Sequence, residues 1–256
     1  MGMNVLIKIE YDGTDFSGWQ IQPDVRTVQG EIEHVLRYIA GEEVHIHGTS
    51  RTDAGVHALG QCATFEWNSN MPVAKLPEVM NRRFGAGGEG RSGAPGDIRI
   101  KSAEVMPDDF HARYSCKGKE YVYKVWNSRV RNPFLDKLAL HYRYDFDVEA
   151  LNKEAQAFVG THDFTSFCTL DKREKGDFTR TVEYFRVEKN GSLVTFTVAA
   201  DGFLYNMVRI MVGTLLAIGQ GRIPYGSLKD IIEAQNRKAA GPTAPPHGLY
   251  LNKVFY

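Results

Sequence analysis

The sequence predicts an α+β fold with a mixed or antiparallel sheet, in a chain of 256 residues that has room for one large domain or two modest ones. Strand-like and helix-like segments follow in the order strand, helix, strands, helix, strand, and this order is loosely repeated in the second half. Asn190-Gly191 also separates two alternating segments, a strong signal for an antiparallel hairpin. A doubly wound parallel sheet is therefore disfavoured.

The first half begins with an alternating strand at Asn4–Tyr11. An amphipathic helix is predicted over Thr27–Ala40, because apolar residues recur at helical spacing, Thr27 can cap the start and Gly41 can end the helix. The other elements predicted here are strands at Glu43–His47, Gly60–Trp67 and Asp97–Met106, a loop at Gly48–Leu59 and a helix near Val73–Phe84. Gly85–Gly96 holds six glycines and one proline, which predicts a surface loop, with a lid or RNA-contacting loop as the alternative.

The chain is divided near Pro107, so that residues 1–107 and 108–256 are predicted as two subdomains. The second is predicted to contain strands at Glu120–Trp126, Thr179–Glu188, Ser192–Ala200 and Gly248–Phe255, and helices at Asp147–Val159, Leu204–Gly219 and Ser227–Asn236.

Composition narrows the functional classes. Thirty-one basic and thirty-one acidic residues give a net charge of zero, which excludes a uniformly basic nucleic-acid binder but not a locally basic groove. Three widely spaced cysteines argue against a disulfide framework and for a reducing cytosol. No uncharged stretch is long enough to span a bilayer, and the start lacks the features of a signal peptide.

Asp53 and Arg209 both lie in stretches of sequence that contain no other acidic residue. Asp53 is the only carboxylate between Glu43 and Glu66, and no Asp or Glu lies between Gly202 and Lys229 around Arg209. Because the Arg209 helix is mostly apolar, a buried guanidinium there needs a carboxylate from elsewhere. An Asp53–Arg209 pair would satisfy both residues and keep the carboxylate ionised. In the alternative, Asp53 forms a turn and Arg209 reaches solvent along its stem.

Tyr121 and Tyr123 alternate on a predicted strand and therefore face the same side. Basic residues nearby favour a face that stacks on a nucleic-acid base, whereas core packing is the commoner fate of strand tyrosines. Separately, His45, His47, Asp53 and His57 superficially resemble a zinc cluster. Two functional hypotheses therefore remain open at this point: a metal-dependent hydrolase, and an RNA-binding module without catalysis.

Several ordered motifs resemble the tRNA pseudouridine synthase A family along nearly the whole chain. The strongest is Arg51-Thr-Asp-Ala-Gly-Val-His-Ala58. The supporting motifs are Tyr11-Asp-Gly13, Gly18-Trp-Gln20, Pro107-Asp-Asp-Phe-His-Ala-Arg113, Tyr121-Val-Tyr123, Asn206-Met-Val-Arg209 with Val212-Gly213, and Ala244-Pro-Pro-His-Gly-Leu-Tyr-Leu251. The chain departs from the family at Ser50, which stands where Gly is usual, and in the long Gly-rich insertion within Asn81–Ile98.

The resemblance implies an isomerase that converts uridine to pseudouridine at positions 38, 39 and 40 of the tRNA anticodon stem-loop, without cofactor or metal. Asp53 would be the nucleophile, attacking C6 of the base or C1′ of the sugar. Tyr121 would stack on the target base, with its hydroxyl available for proton removal, and Leu249 would form an apolar wall of the pocket. The base would be flipped out of its helical stack.

The resemblance further implies two ferredoxin-like halves with joined, mainly antiparallel sheets and a central cleft. It also implies a cytoplasmic homodimer without membrane attachment, whose basic groove receives tRNA. Arg51, Arg113 and Lys117 are the predicted substrate contacts, and further candidates for the groove are Arg26, Arg82 and Arg129.

Overall fold

The computed structural model describes residues 2–85, 96–169 and 176–256. Contacts within the chain define two compact units. Unit 1 comprises Met1–Lys117 and Tyr250–Tyr256, and unit 2 comprises Gly118–Leu249. The division of the sequence at Pro107 stays a prediction. The predicted loop over Gly85–Gly96 lies, for residues 86–95, outside the described part of the chain.

Both units combine helices with strands, numbered here in chain order. The strands are β1 (Met3–Tyr11), β2 (His47–Gly48), β3 (His57–Trp67), β4 (Ile98–Val105), β5 (Gly118–Asn127), β6 (Leu140–Tyr142), β7 (Gly160–Asp163), β8 (Thr179–Asn190), β9 (Leu193–Ala200) and β10 (Leu249–Phe255). The helices are α1 (Val28–Ala40), α2 (Leu76–Gly85), α3 (Val148–Ala155), α4 (Met207–Gly219) and α5 (Leu228–Glu233).

The sheet of unit 1 has the strand order β4-β1-β3-β10, and β2 pairs with β3. All pairs are antiparallel except β10 with β3, which is parallel at Tyr250↔His57 and Leu251↔Ala58. Unit 2 has the order β5-β9-β8-β7 with antiparallel pairs, and β6 joins β5 in parallel. The predicted α+β class with mainly antiparallel strands is confirmed.

Helix α1 shows how local sequence sets an element. The Thr27 side chain accepts a hydrogen bond from Gly30 N, which satisfies one of the orphan donors of the first turn. Gly41 ends the helix in the left-handed region, at φ 76°, and donates its N–H to Arg37 O. Val28, Ile32 and Leu36 are fully buried on one face of the helix. The predicted helix and both of its ends are confirmed.

Two predicted elements of unit 1 need correction. Glu43–His47 is not a strand as a whole, because the Glu33 carboxylate accepts the Ile46 N–H at 2.9 Å and only His47–Gly48 pairs as β2. Strand β3 begins at His57 rather than Gly60, since Ala58 already pairs with Tyr11. Strands β6 and β7 were not predicted.

Helix α4 begins at Met207 rather than at the predicted Leu204. Asn206, the residue before it, has a φ of 62°, which an α-helix cannot include. Among the described residues, no helix is both long enough and apolar enough to cross a membrane.

Candidate active site

Asp53 lies in unit 1 in a short connection between β2 and β3, named here the Asp53 loop (residues 49–56). The Asp53 side chain is partly exposed, whereas Thr52 beside it is buried. Trp19 N donates to Thr52 O at 3.0 Å, and Val56 N donates to Asp53 O at 3.1 Å. The backbone on both sides of the carboxylate is therefore held by hydrogen bonds.

Two buried side chains also hold the Asp53 loop in place through hydrogen bonds. The Tyr11 hydroxyl and Thr52 Oγ1 are hydrogen-bonded at 2.6 Å in a buried position. Gln61, also fully buried, donates to Ser50 O at 2.7 Å and accepts from Ser50 N at 3.3 Å. Ser50 does not have a positive φ, so this position does not require the glycine that is usual in the family.

Two glycines allow the segment that follows β1 to approach the Asp53 loop closely. A Cβ on Gly13 would lie 2.0 Å from Val56 O, and a Cβ on Gly18 would lie 2.8 Å from Thr52 O. Gly18 also has a φ of 92°, a conformation that L side chains rarely adopt. The backbone of the Asp53 loop therefore packs directly against both glycines.

His57 closes the loop at its far end and is 1% exposed. Its Nδ1 lies 3.0 Å from Gly13 N and 3.1 Å from Asp12 Oδ1. When the imidazole is neutral with its proton on Nε2, Nδ1 accepts the Gly13 N–H. When it is protonated, Nδ1 donates to Asp12, and this hydrogen bond is the main cause that holds the pKa of the Asp12 carboxyl well below its usual range. The ring stacks on Tyr250 with centroids 4.6 Å apart.

Arg209 lies in unit 2, in the first turn of α4. Its Nε donates to Ala244 O and its Nη1 donates to Asn206 Oδ1, both at 2.7 Å. Ala244 N in turn donates to Arg209 O at 3.0 Å. These bonds fix the direction of the guanidinium, and Asn206 reaches its position because of its left-handed backbone.

Tyr121 and Tyr123 lie on β5 in unit 2. Tyr121 is 7% exposed and meets Phe203 edge-on, with ring centroids 5.1 Å apart. Tyr123 is fully buried and donates to Pro245 O at 2.7 Å, and burial raises the pKa of its hydroxyl. Tyr123 therefore packs in the core, as the packing alternative predicted. Leu249, the predicted pocket wall, is buried at the start of β10.

The predicted basic contacts fall into two groups. The exposed ones are Arg51, Arg113, Lys117, Arg82 and Arg129. Arg26 is different, because its Nη1 and Nη2 donate to the Asp97 carboxylate at 2.6 and 3.2 Å and its guanidinium lies over the Phe16 ring. The structure thus gives Arg26 a role in holding unit 1 together.

The histidine cluster behind the metal-hydrolase alternative is not assembled. His45 Nδ1 lies 3.4 Å from Glu33 Oε2, and the His47 ring lies against His111. His57 is turned toward Asp12 and Gly13. Within residues 2–85, 96–169 and 176–256, no group of three or more His, Cys, Asp or Glu side chains is placed to hold a metal ion.

Sequence reasoning singled out Asp53 but missed the residues that position it. Tyr11, Gly13 and Gly18 belong to motifs that carried the family resemblance, yet no role could be read from them. Their function depends on the approach of segments about 40 residues apart, which only the topology reveals. His57 stands in the Arg51–Ala58 motif of the resemblance, but the single role considered for it was that of a metal ligand. The pairing of Asp53 with Arg209 stays a prediction.

Comparison with known proteins gives consistent matches. A family model described as tRNA pseudouridine synthase matches residues 7–115 and 155–256. The tRNA pseudouridine synthase A of Acetivibrio thermocellus is 43% identical over 253 residues, which cover 99% of each chain. That of Halalkalibacterium halodurans is 46% identical over 244 residues, 95% of this chain and 89% of the relative. That of Brevibacillus brevis is 45% identical over 248 residues, 97% of each chain.

Proposed function

The chain belongs to the tRNA pseudouridine synthase family, the isomerases that convert uridine to pseudouridine in tRNA, and on that premise we propose that Asp53 is the nucleophile and that the targets are positions 38, 39 and 40 of the anticodon stem-loop. The observation that carries this proposal is the Asp53 loop. It presents a partly exposed carboxylate from a backbone held on both sides by hydrogen bonds and by two close glycine contacts. Covalent catalysis requires a carboxylate that is aimed in this way.

The proposed reaction exchanges one bond of the base for another. The Asp53 carboxylate attacks C6 of the base or C1′ of the sugar, and the glycosidic C–N bond breaks. The base rotates while held, and C5 bonds to C1′. If Asp53 is bonded to C1′, that bond breaks as C5 bonds to C1′, and if it is bonded to C6, that bond breaks afterwards. C5 then loses its proton, and N1 ends with a proton. Bonds are exchanged without net oxidation, so the chemistry calls for no cofactor or metal.

Three further residues have roles in the proposed site. The Arg209 guanidinium pairs with Asp53 and keeps the carboxylate ionised. Its bonds to Ala244 and Asn206 support this role, because they hold the guanidinium in one direction. Tyr121 stacks on the flipped base, with its ring supported by Phe203. Leu249 supplies an apolar wall.

The proposed partner is tRNA, bound by a homodimer in a groove to which Arg51, Arg113 and Lys117 contribute. All three are exposed, which leaves them accessible to phosphates. We place the enzyme in the cytoplasm. The sequence supports this, since its three cysteines are widely spaced and form no C-x-x-C motif.

The deciding experiment measures tritium release from tRNA transcripts labelled at uridine C5. Wild type and Asp15→Asn, an exposed control carboxylate in unit 1, should release tritium. Asp53→Asn should release none while it keeps most of its affinity for tRNA. Near-normal turnover by Asp53→Asn would overturn its role as nucleophile. Transcripts with cytidine at positions 38–40 should release none, and undiminished release would overturn the target assignment. Tight binding by wild type without release would favour the RNA-binding module instead.

A further inference from the structure

Three aromatic rings lie against one another, with tilted planes, at the surface of unit 1, and none of them takes part in the proposed reaction. The His47 and His111 ring centroids are 5.2 Å apart with planes inclined by 32°. The His111 and Tyr114 centroids are 4.4 Å apart with planes inclined by 35°. We call His47, His111 and Tyr114 the ring stack. Tyr114 is 80% exposed, so the face of its ring that does not meet His111 is open to solvent.

The middle ring of the stack is rigidly placed. His111 Nδ1 accepts the Arg113 N–H at 3.1 Å, and the His111 N–H donates to Ser115 Oγ at 3.1 Å. Ser115 N closes the turn by donating to His111 O at 2.9 Å. Burial, followed by the nearby His47 and Arg113, lowers the pKa of His111, which favours the neutral ring that accepts from Arg113.

The turn that carries the stack is tied to the base of the Asp53 loop. Ala112 O lies 3.1 Å from both Thr49 Oγ1 and the Tyr256 hydroxyl. Ala112 N donates to Thr64 Oγ1 on β3 at 3.2 Å. Because Thr49 is the first residue of the Asp53 loop, the stack and Asp53 belong to one framework within unit 1.

The surroundings of the ring stack have the chemistry of a nucleic-acid contact. Arg113 and Lys117 are exposed on either side of Tyr114 in sequence. The acidic residues of the same segment, Asp108 and Asp109, precede the stack and are also exposed. The Tyr114 ring is supported on one face by His111 and is open to solvent on the other. Proteins recognise unpaired bases with such supported aromatic faces next to basic side chains.

We propose that Tyr114, supported by His111 and His47, stacks on an unpaired base of the tRNA other than the target uridine, while Arg113 and Lys117 contact the adjoining phosphates. The identity of the ligand rests on the proposed function. The base must be unpaired, because a base inside a duplex has both faces covered by its neighbours. The ring stack would thereby fix the register of the tRNA relative to Asp53.

The test compares tRNA dissociation constants of Tyr114→Ala, Tyr114→Phe and Tyr114→Trp at one salt concentration. Loss of one stacked base weakens binding by roughly 5- to 150-fold, so Tyr114→Ala should show a loss in that range. The variants that keep a ring should stay within about twofold of wild type. Tyr38→Ala is the matched control, since Tyr38 is an exposed tyrosine of the same unit whose ring is already covered by Arg83. It should bind like wild type.

A second readout locates the contact. Transcripts carrying 2-aminopurine at successive unpaired positions should show one position whose fluorescence is quenched by wild type and Tyr114→Phe but not by Tyr114→Ala. Tyr114→Ala affinity close to wild type, or an equal loss in Tyr114→Phe, would overturn the stacking proposal. Tritium release by wild type on the same tRNA separates the two proposals. If wild type releases tritium but Tyr114→Ala and Tyr114→Phe bind tRNA equally well, only the stacking proposal is rejected. If the two variants differ in tRNA affinity but wild type releases no tritium, only the proposed isomerase activity is rejected.

Discussion

Gly13 and Val56 are in direct backbone contact: a Cβ on Gly13 would lie 2.0 Å from Val56 O and 2.6 Å from its carbonyl carbon. Val56 N donates to Asp53 O, so this contact sets the position of the Asp53 backbone three residues earlier. The segment just after β1 therefore helps to position the Asp53 carboxylate, although it contributes no reacting group.

Gly13→Ala should displace the Asp53 loop, because backbone atoms cannot yield as a flexible side chain can. We expect a loss of about 1–3 kcal/mol in the free energy of unfolding. We also expect kcat for tritium release to fall by roughly 100-fold, as for an ångström-scale misplacement of a catalytic group. Gly176→Ala is the control, since no atom of the described residues lies within 4 Å of its Cβ position. A Gly13→Ala enzyme with kcat within threefold of wild type would show that the contact does not position Asp53.

The Tyr11–Thr52 hydrogen bond should be needed for both stability and turnover. Tyr11→Phe removes one partner of this buried bond and leaves the Thr52 hydroxyl without it, at a cost of about 1–3 kcal/mol. Thr52→Val should cost a similar amount. The double variant should lose clearly less than the sum, because both changes break the same bond. Urea unfolding of the four proteins measures the coupling, and strictly additive losses would contradict it.

Helix α1 and the hairpin at Asn190-Gly191 were predictable because their signals are local. The Thr27 side chain caps the helix by accepting the N–H of Gly30, three residues along the chain. Gly41 ends the helix because glycine readily adopts the left-handed conformation. Gly191 likewise has a φ of 57° in the turn between β8 and β9. In each case the deciding interaction lies within four residues of the chain.

The strand predicted at Glu43–His47 failed for the opposite reason. Val44 and Ile46 are buried in alternation, as a strand pattern requires, yet the Ile46 N–H is taken by Glu33 from α1. That bond joins residues 13 positions apart, and nothing in the local pattern reports it. The residues that hold the Asp53 loop were missed for the same reason. The lack of other acidic residues nearby in the sequence draws attention to Asp53, but it does not reveal the distant backbone that holds this residue.

Arg26 and Arg113 should separate structural from RNA-contacting arginines. Arg26→Ala removes a largely buried bidentate pair with Asp97, which should cost about 1.5–3 kcal/mol of stability while leaving tRNA affinity nearly unchanged. Arg113→Ala, at an exposed site, should leave stability unchanged. It should weaken tRNA binding and reduce the slope of log K against log salt by about 1. Urea unfolding and salt-dependent binding measure both effects, and the reverse pattern would contradict the assignment.

Tyr184 donates a hydrogen bond to the carboxylate of Glu120, which is buried on β5. Burial, this hydrogen bond and the carboxylate charge together raise the pKa of Tyr184 from 10.0 to about 12. The folded chain therefore keeps this proton at a pH where the unfolded chain releases it. The contribution of Tyr184 to stability is complete below pH 10 and is lost as the pH rises from 10 to about 12.

Tyr184→Phe should consequently flatten the alkaline decline in the free energy of unfolding over that range, although the variant loses the bond to Glu120 and is less stable at neutral pH. Tyr144→Phe provides a control of opposite sign. A hydrogen bond from Arg143 lowers the pKa of Tyr144, so its removal should not flatten the decline. Urea unfolding at a series of pH values measures all three proteins. If Tyr184→Phe and wild type decline in parallel, the Tyr184 proton is not held more tightly by the folded chain, and the pair with Glu120 contributes only its hydrogen bond.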